Sequence, residues 1–425
     1  MEPTASDIRH FDWRQLPAGF HDDPFPWYRA LREHDPVHWC ADGSVTLTRY
    51  ADCAAVYRDP RCRSDKRRMF RPNFGPNVDD SPLYEHHTTS LVFNDPPYHT
   101  RVRELLFDAL RPAAVRAMRQ PLEAMVRRLL DEAEAGAGDT IDLIEQFAMA
   151  IPVEVIANFL TVPCEERGPL RNWSLGILGA LEVDITPEQK AAGEEAVREF
   201  CDYLRGLIER RRKAGQGDAT DILSILVRSH DRGELTEDEL LHNCIFLLNA
   251  GHETTTNLIG NGIAELLAHP EELAKLKRSP ELIKTAIEEI LRYQSPNQLG
   301  NREVAEDLEV GGVALPAGTM VTLCIGAANR DPERFEDPER FDIARQPNPH
   351  LAFATGIHTC LGMTLARLEG RIAIAGLFRR FPDVELAGPA THQRRSRFRG
   401  YVSLPARLNR RRRFGEAAAR SFAIC

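Results

Sequence analysis

The chain of 425 residues holds nine cysteines and no CxxC pair; the nine stand apart at 40, 53, 62, 164, 201, 244, 324, 360 and 425. An odd, scattered set excludes a secreted disulfide framework and paired zinc sites, and leaves most of these thiols as small buried hydrophobes. A basic excess is lacking too, since 54 Lys+Arg face 63 Asp+Glu for a net charge of −9. That balance argues against a nucleic-acid partner, which is usually met by a basic patch. No run of about 18 apolar residues occurs, so no transmembrane span or membrane anchor is expected. The opening MEPTASDIRHFDW has no basic segment followed by an apolar core, which points to a cytoplasmic protein. Cys425 is the last residue, whereas a prenylation box places its cysteine four from the end. Repeats are absent beyond the DPERF echo at 331–335 and 337–341.

Helical periodicity is what the sequence does have, over residues 98–295 and again at 361–380. Short alternating stretches such as Val45–Thr48 and Val310–Val321 mark β-rich parts near 35–60 and 297–325. Pro and Gly punctuate 71–97 and 296–362, which read as long ordered loops of the kind that wrap something. No linker divides residues 1–408, so a single large body is expected in spite of the length. Residues 409–425, with Arg410–Arg413, read as a solvated Arg-rich tail.

Thr236-x-x-Glu239 is a capping box, and the helix it opens runs to about Ala268, before His269-Pro270. About 32 residues at 1.5 Å each give a rod of roughly 48 Å. Its apolar residues, Ile245 to Leu248 among them, run nearly all round, so it should be buried. Yet its centre is Ala250-Gly251-His252-Glu253-Thr254-Thr255-Thr256, where a glycine, three β-branched residues and a carboxylate are poor choices for a buried helix. Either the threonines bond back to the helix and kink it, or the local rules fail here because the residues are used.

A second helix should begin with Ser279 as N-cap and Pro280 at its first position. Glu289 and Arg292 lie off its apolar stripe and are neighbours at i, i+3; on their own they read as a surface ion pair. A third helix follows Asp95-Pro96-Pro97, with His99 and Arg103 one turn apart on one face, able to hold an anion or simply solvated.

Cys360 lies in the run Phe353-Ala354-Thr355-Gly356-Ile357-His358-Thr359-Cys360-Leu361-Gly362, just before a helical pattern. A helix N-terminus favours a thiolate, and the flanking glycines remove bulk, so a large flat partner can approach the sulfur. Nucleophilic catalysis and iron ligation both suit such a thiolate.

Together these segments resemble the cytochrome P-450 family of haem-thiolate monooxygenases, in its soluble bacterial form. The haem-binding signature FxxGxHxCxG is matched by Phe353 through Gly362. The long-helix signature, (A/G)GxxT with an acid before the Thr, is matched by Ala250, Gly251, Glu253 and Thr254. Glu289 and Arg292 match the ExxR pair, and Asn329-Arg330-Asp331-Pro332 with Phe335 and Phe341 resembles the segment that pairs with it. The run HTRVR at 99–103 and Arg302 also match, and the likeness extends from about residue 20 to 405. One departure is Ala354, where many bacterial members carry Gly.

The resemblance implies a mainly α fold with a smaller β-rich region, and haem b held between the long distal helix and the proximal cysteine loop. It implies that Cys360 is the axial iron ligand, with Phe353 and Gly362 beside it. His99, Arg103, Arg302 and His358 would pair with the haem propionates. Glu253 and Thr254 would relay protons to dioxygen, and a widening of the helix at Gly251 would make room for oxygen and water. Glu289 and Arg292 become a buried structural pair. The implied reaction inserts one oxygen atom from dioxygen into an apolar small molecule. Its electrons would come from NAD(P)H through a ferredoxin reductase and a ferredoxin, and the enzyme would be a monomer. A peroxide-driven peroxygenase or a redox-neutral haem isomerase is the alternative, disfavoured by the intact Glu253-Thr254 couple. A haem-based sensor and a Cys/His hydrolase built on Cys360 and His358 are the others. By the same likeness the substrate pocket draws on Phe70, Phe74, Leu83, Val92, Leu175, Ile177, Leu181, Asn249, Ala250, Gln298 and Leu299.

Overall fold

The computed structural model describes residues 3–65, 67–74, 78–136, 138–182, 185–215 and 221–409. The expected tail at 409–425, apart from Asn409, lies outside them with Cys425, as does the side chain of Phe70. The architecture is mainly helical with smaller sheets, and one long helix, Glu237–Ala268, forms its axis. Thr236 caps it as the sequence predicts: its Oγ accepts from the Glu239 N–H, and the Glu239 side chain accepts from the Thr236 N–H. Helices Ala150–Phe159, Leu170–Gly179, Pro187–Ala214, Ile283–Tyr293 and Met363–Arg380 pack around it, burying most of its length.

The principal sheet has five strands in the order Val37–Trp39, Val45–Leu47, Met320–Cys324, Leu299–Val304, Cys62–Arg63. Val45–Leu47 pairs with Met320–Cys324 in parallel, and every other pairing is antiparallel. This sheet has its own apolar core of Val45, Leu47, Val321 and Leu323. Because strand side chains alternate between faces, its fourth strand is a rigid rod from which selected residues reach toward the helical part.

Four expectations are corrected. The 71–97 stretch is not a long loop, for it holds the helix Pro82–Thr89, opened by Ser81 with Pro82 at its first position, and the end of Arg67–Phe74. The 35–60 region includes the helix Tyr50–Arg58. Ser279 caps nothing with its side chain; a 3-10 turn, Pro280–Leu282, precedes Ile283–Tyr293. Finally, the long helix does not widen at Gly251. It stays α-helical throughout, although Thr254 and Thr256 bond back to the Ala250 and His252 carbonyls at 2.9 Å each. A Cβ on Gly251 would stand 2.9 Å from Ile156 Cδ1, so the glycine admits the neighbouring helix.

Candidate active site

The cysteine loop is a knot of backbone hydrogen bonds. The Cys360 N–H donates to the Phe353 carbonyl at 2.9 Å, the Ala354 N–H to Leu351 at 2.8 Å, and the Thr359 N–H to Gly356 at 3.1 Å. Gly356, at φ +78°, packs so closely on the Tyr57 carbonyl that a Cβ would lie 2.5 Å from its oxygen. Ala354 also has a positive φ, 55°, the region where the family's more usual glycine is at ease. Phe353 is steadied by the Arg367 guanidinium, 4.7 Å from its ring centroid and itself paired with Glu288 at 2.7 Å. Gly362 then starts the helix Met363–Arg380, with no atom within 4 Å of where its Cβ would stand.

A cavity of about 370 Å³ separates this loop from the long helix. Cys360, Phe353 and Gly362 line one side; Asn249, Ala250, Gly251 and Thr254 line the other. Burial pushes the Cys360 thiol up, while the Gly362 N–H and the charges of Arg103 and Arg367 pull toward the thiolate.

His99, Arg103, Arg302 and His358 gather on the same cavity from three separate segments. The rings of His99 and His358 lie 4.1 Å apart. Burial, with His358 and Arg103 nearby, depresses His99 to about 4. Both of its ring nitrogens are buried without a hydrogen-bond partner. Arg103 donates to the Thr359 carbonyl at 2.7 Å, and Arg302 to the Asn301 carbonyl at 2.8 Å while lying over the Tyr57 ring. Neither forms an ion pair among the described residues. The one carboxylate in the group is Asp95, 3.5 Å from His358 Nε2. Burial would raise Asp95, but His358 and the N–H groups of Ser64 and Asp65 outweigh it and hold the group at about 2. Two guanidiniums and two imidazoles thus face a cavity with too little negative charge, a deficit that two carboxylates of a bound group would fill. Together with a cysteine sulfur bounded by glycine, this donor set fits haem b.

Glu253 does not line the cavity. It is buried behind the wall, where Arg395 Nη1 donates to both of its oxygens, at 2.6 and 2.7 Å. Burial raises its carboxyl and Arg395 partly reverses the effect. Thr254, its neighbour, does face the cavity. Glu289 and Arg292 lie outside the site as a fully buried pair, 2.8 Å apart.

Of the expected pocket residues, Val92, Leu181, Asn249, Ala250 and Leu299 line the cavity, while Phe74, Leu83, Leu175 and Ile177 do not. Gln298 is corrected as well. It is turned behind the strand, donates to the Ser295 carbonyl at 2.6 Å, and fills the space left by Gly326. Sequence reading missed Tyr57, His86, His87, Arg395, Arg397 and Phe398. Four arginines within 394–399 were the available signal for the last group.

The family model described as Cytochrome P450 matches residues 181–279 and 279–392. The chain is 38% identical over 407 residues to 6-deoxyerythronolide B hydroxylase of Saccharopolyspora erythraea, an alignment covering 92% of this chain and 97% of that one. It is 40% identical over 376 residues to the vitamin D(3) 25-hydroxylase of Pseudonocardia autotrophica, covering 87% and 89%. Among solved structures it resembles P450BioI in complex with hexadec-9Z-enoic acid ligated acyl carrier protein. That match has a TM-score of 0.86 and 34% identity, over 92% of this chain and 100% of that one.

Proposed function

Because the chain belongs to the cytochrome P450 family and is a haem b-dependent monooxygenase, we propose the roles of its residues and the source of its electrons. Cys360 would hold the haem iron, and His99, Arg103, Arg302 and His358 the propionates. Bound haem supplies the reductive activation of dioxygen, with the thiolate ligand favouring O–O cleavage. Glu253 takes up and releases protons behind the wall. The Thr254 hydroxyl both donates and accepts, so it can orient a proton at the cavity surface. Apolar side chains such as Val92, Leu181 and Leu299 would exclude water from an apolar substrate. The relatives named for 6-deoxyerythronolide B and vitamin D(3) support a small organic molecule of that kind.

Electrons would come from NAD(P)H through a ferredoxin reductase and a ferredoxin in the cytoplasm. Ile357, 55% exposed on the very loop that carries Cys360, supports docking of a carrier there. Among the described residues no helix is long and apolar enough to cross a membrane.

The observation that carries this reading is the cavity shared by Cys360, Thr254 and the guanidiniums of Arg103 and Arg302, beside which Asp95 is the one described carboxylate. Reduced, carbon-monoxide-treated protein should show the family's red-shifted Soret band, and Cys360→Ser should lose it. Turnover should need the ferredoxin; steady turnover with peroxide but none with NAD(P)H and carriers would favour a peroxygenase instead.

A further inference from the structure

The polar groups of the cavity fall into two sets. His99, His358, Arg103 and Arg302 feel one another's charge, together with Asp95. Arg397 adjoins that set at Tyr57, which feels both Arg302 and Arg397, and leads to the second: apart from burial, its charge is the main influence depressing His87, which is held at about 3 and stays neutral. Arg397, His87, His86 and Asn249 all line the cavity. The Asn249 Oδ1 is buried there with no hydrogen-bond partner.

Among the described residues, Arg397 donates to neutral acceptors alone. Its Nε donates to the Leu181 carbonyl at 3.3 Å, Nη1 to the Leu299 carbonyl at 3.3 Å, and Nη2 to Asn301 Oδ1 at 2.5 Å. A guanidinium carries five N–H groups, so one on each terminal nitrogen has no partner among the described residues. Glu182 is the described carboxylate whose charge it feels most, yet Glu182 makes no ion pair with it and accepts instead from the Ser396 N–H at 3.2 Å. Burial lowers the Arg397 pKa, the mark of a cation poorly compensated. A purely apolar ligand would strip water from this charge and give nothing in return. A carboxylate would recover it, and the planar fork of arginine matches a carboxylate in shape.

Resting on the monooxygenase reading of the cavity, we propose that Arg397 anchors the substrate and that the molecule oxidised carries a carboxylate, seated on this guanidinium while its apolar body occupies the rest of the cavity. Leu299 and Asn301, on the strand that also carries Arg302, and Leu181, after the helix Leu170–Gly179, fix the guanidinium from two sides. The anchor is therefore rigid, and it would set which carbon of the body is presented for oxidation.

The test uses ferric holoenzyme and matched pairs: dodecanoic acid against dodecanamide and methyl dodecanoate, and 1-adamantanecarboxylic acid against its amide. Binding is read by the spin-state shift and by equilibrium dialysis, so spectrally silent ligands are counted. At least one acid should bind about tenfold or more tightly than its own amide. Arg397→Gln should erase that preference without weakening the amide, and Arg397→Lys should keep part of it. The inference is overturned if no acid binds, if acids and amides bind alike, or if Arg397→Gln weakens both equally. It is also overturned if Arg397→Gln loses haem without any ligand present, which would assign the guanidinium to a propionate. The carbon monoxide spectrum of the same wild-type sample separates the two readings: its loss removes the monooxygenase reading, and its presence without acid preference removes only the substrate class.

Discussion

Glu289 and Arg292, one turn apart on the helix Ile283–Tyr293, form a fully buried ion pair with two N–O contacts of 2.8 Å. Each also reaches into the segment that leads to Cys360. Arg292 donates to the carbonyls of Asn329, Pro338 and Arg340, and Glu289 accepts from the Asp342 N–H and the Asn348 and Arg345 side chains. Glu289→Ala would strand a buried guanidinium, at a cost of about 3–5 kcal/mol. Purified variant should unfold at lower temperature and retain little haem, and wild-type haem content with an unchanged Tm would show the pair to be dispensable.

Ala354 and Gly356 occupy left-handed backbone two residues apart, and their substitutions should act in opposite directions. An L side chain in that region costs about 1–2 kcal/mol, so Ala354→Gly should stabilise the protein by about 1 kcal/mol after the entropy of the unfolded chain is counted. Gly356→Ala would drive a Cβ to 2.5 Å from the Tyr57 carbonyl oxygen, a backbone atom that cannot yield cheaply. It should cost more than about 2 kcal/mol. Thermal melts of the two variants check both signs.

What was legible in the sequence was local. The capping box at Thr236, the Cys360 loop and the i, i+3 spacing of Glu289 and Arg292 are all contained within a few residues. What a residue faces is set by distant chain and was not legible. Glu289–Arg292 reads as a surface pair until the 329–348 segment covers it. Glu253 reads as a cavity residue, yet Arg395, 142 positions away, claims its carboxylate. Gln298 and Leu299 are adjacent in a polar-looking stretch, but only Leu299, the first residue of the strand, lines the cavity, while the Ser295 carbonyl holds Gln298 away from it. The helix Pro82–Thr89 is hidden because Ser81-Pro82, a helix start here, reads equally as loop punctuation.

Glu369 predicts a pH dependence of stability. It is buried, with one carboxyl oxygen lacking any hydrogen-bond partner, and burial raises it from 4.5 to about 8. Between those values the folded protein holds a proton that the unfolded chain has released. Stability should therefore fall as pH rises through this window, by about 1.4 kcal/mol per unit, and level off above about pH 8. Glu369→Gln removes the titration. The variant should match wild type near pH 5 and exceed it increasingly up to about pH 8.5. A constant difference at both ends would mean that Glu369 does not titrate in this range.

Glu253 is the residue whose role depends most on where its carboxylate is held. Both oxygens are occupied by Arg395, so it reaches the cavity only through its neighbour Thr254 or by releasing that guanidinium. Glu253→Gln keeps the shape and removes the exchangeable proton. Turnover should fall about 10²-fold, the usual scale for a lost acid–base group, while the substrate-induced spin shift stays as in wild type. Arg395→Gln acts differently, because Arg395 is what pulls down a carboxyl that burial pushes up. Without it the proton is held more tightly, so a limb of the pH–rate profile that rises with deprotonation should move to higher pH. A purely structural pair would lower stability and leave the position of that limb unchanged. Full turnover and unaltered coupling of NAD(P)H to product in Glu253→Gln would remove Glu253 from the chemistry altogether.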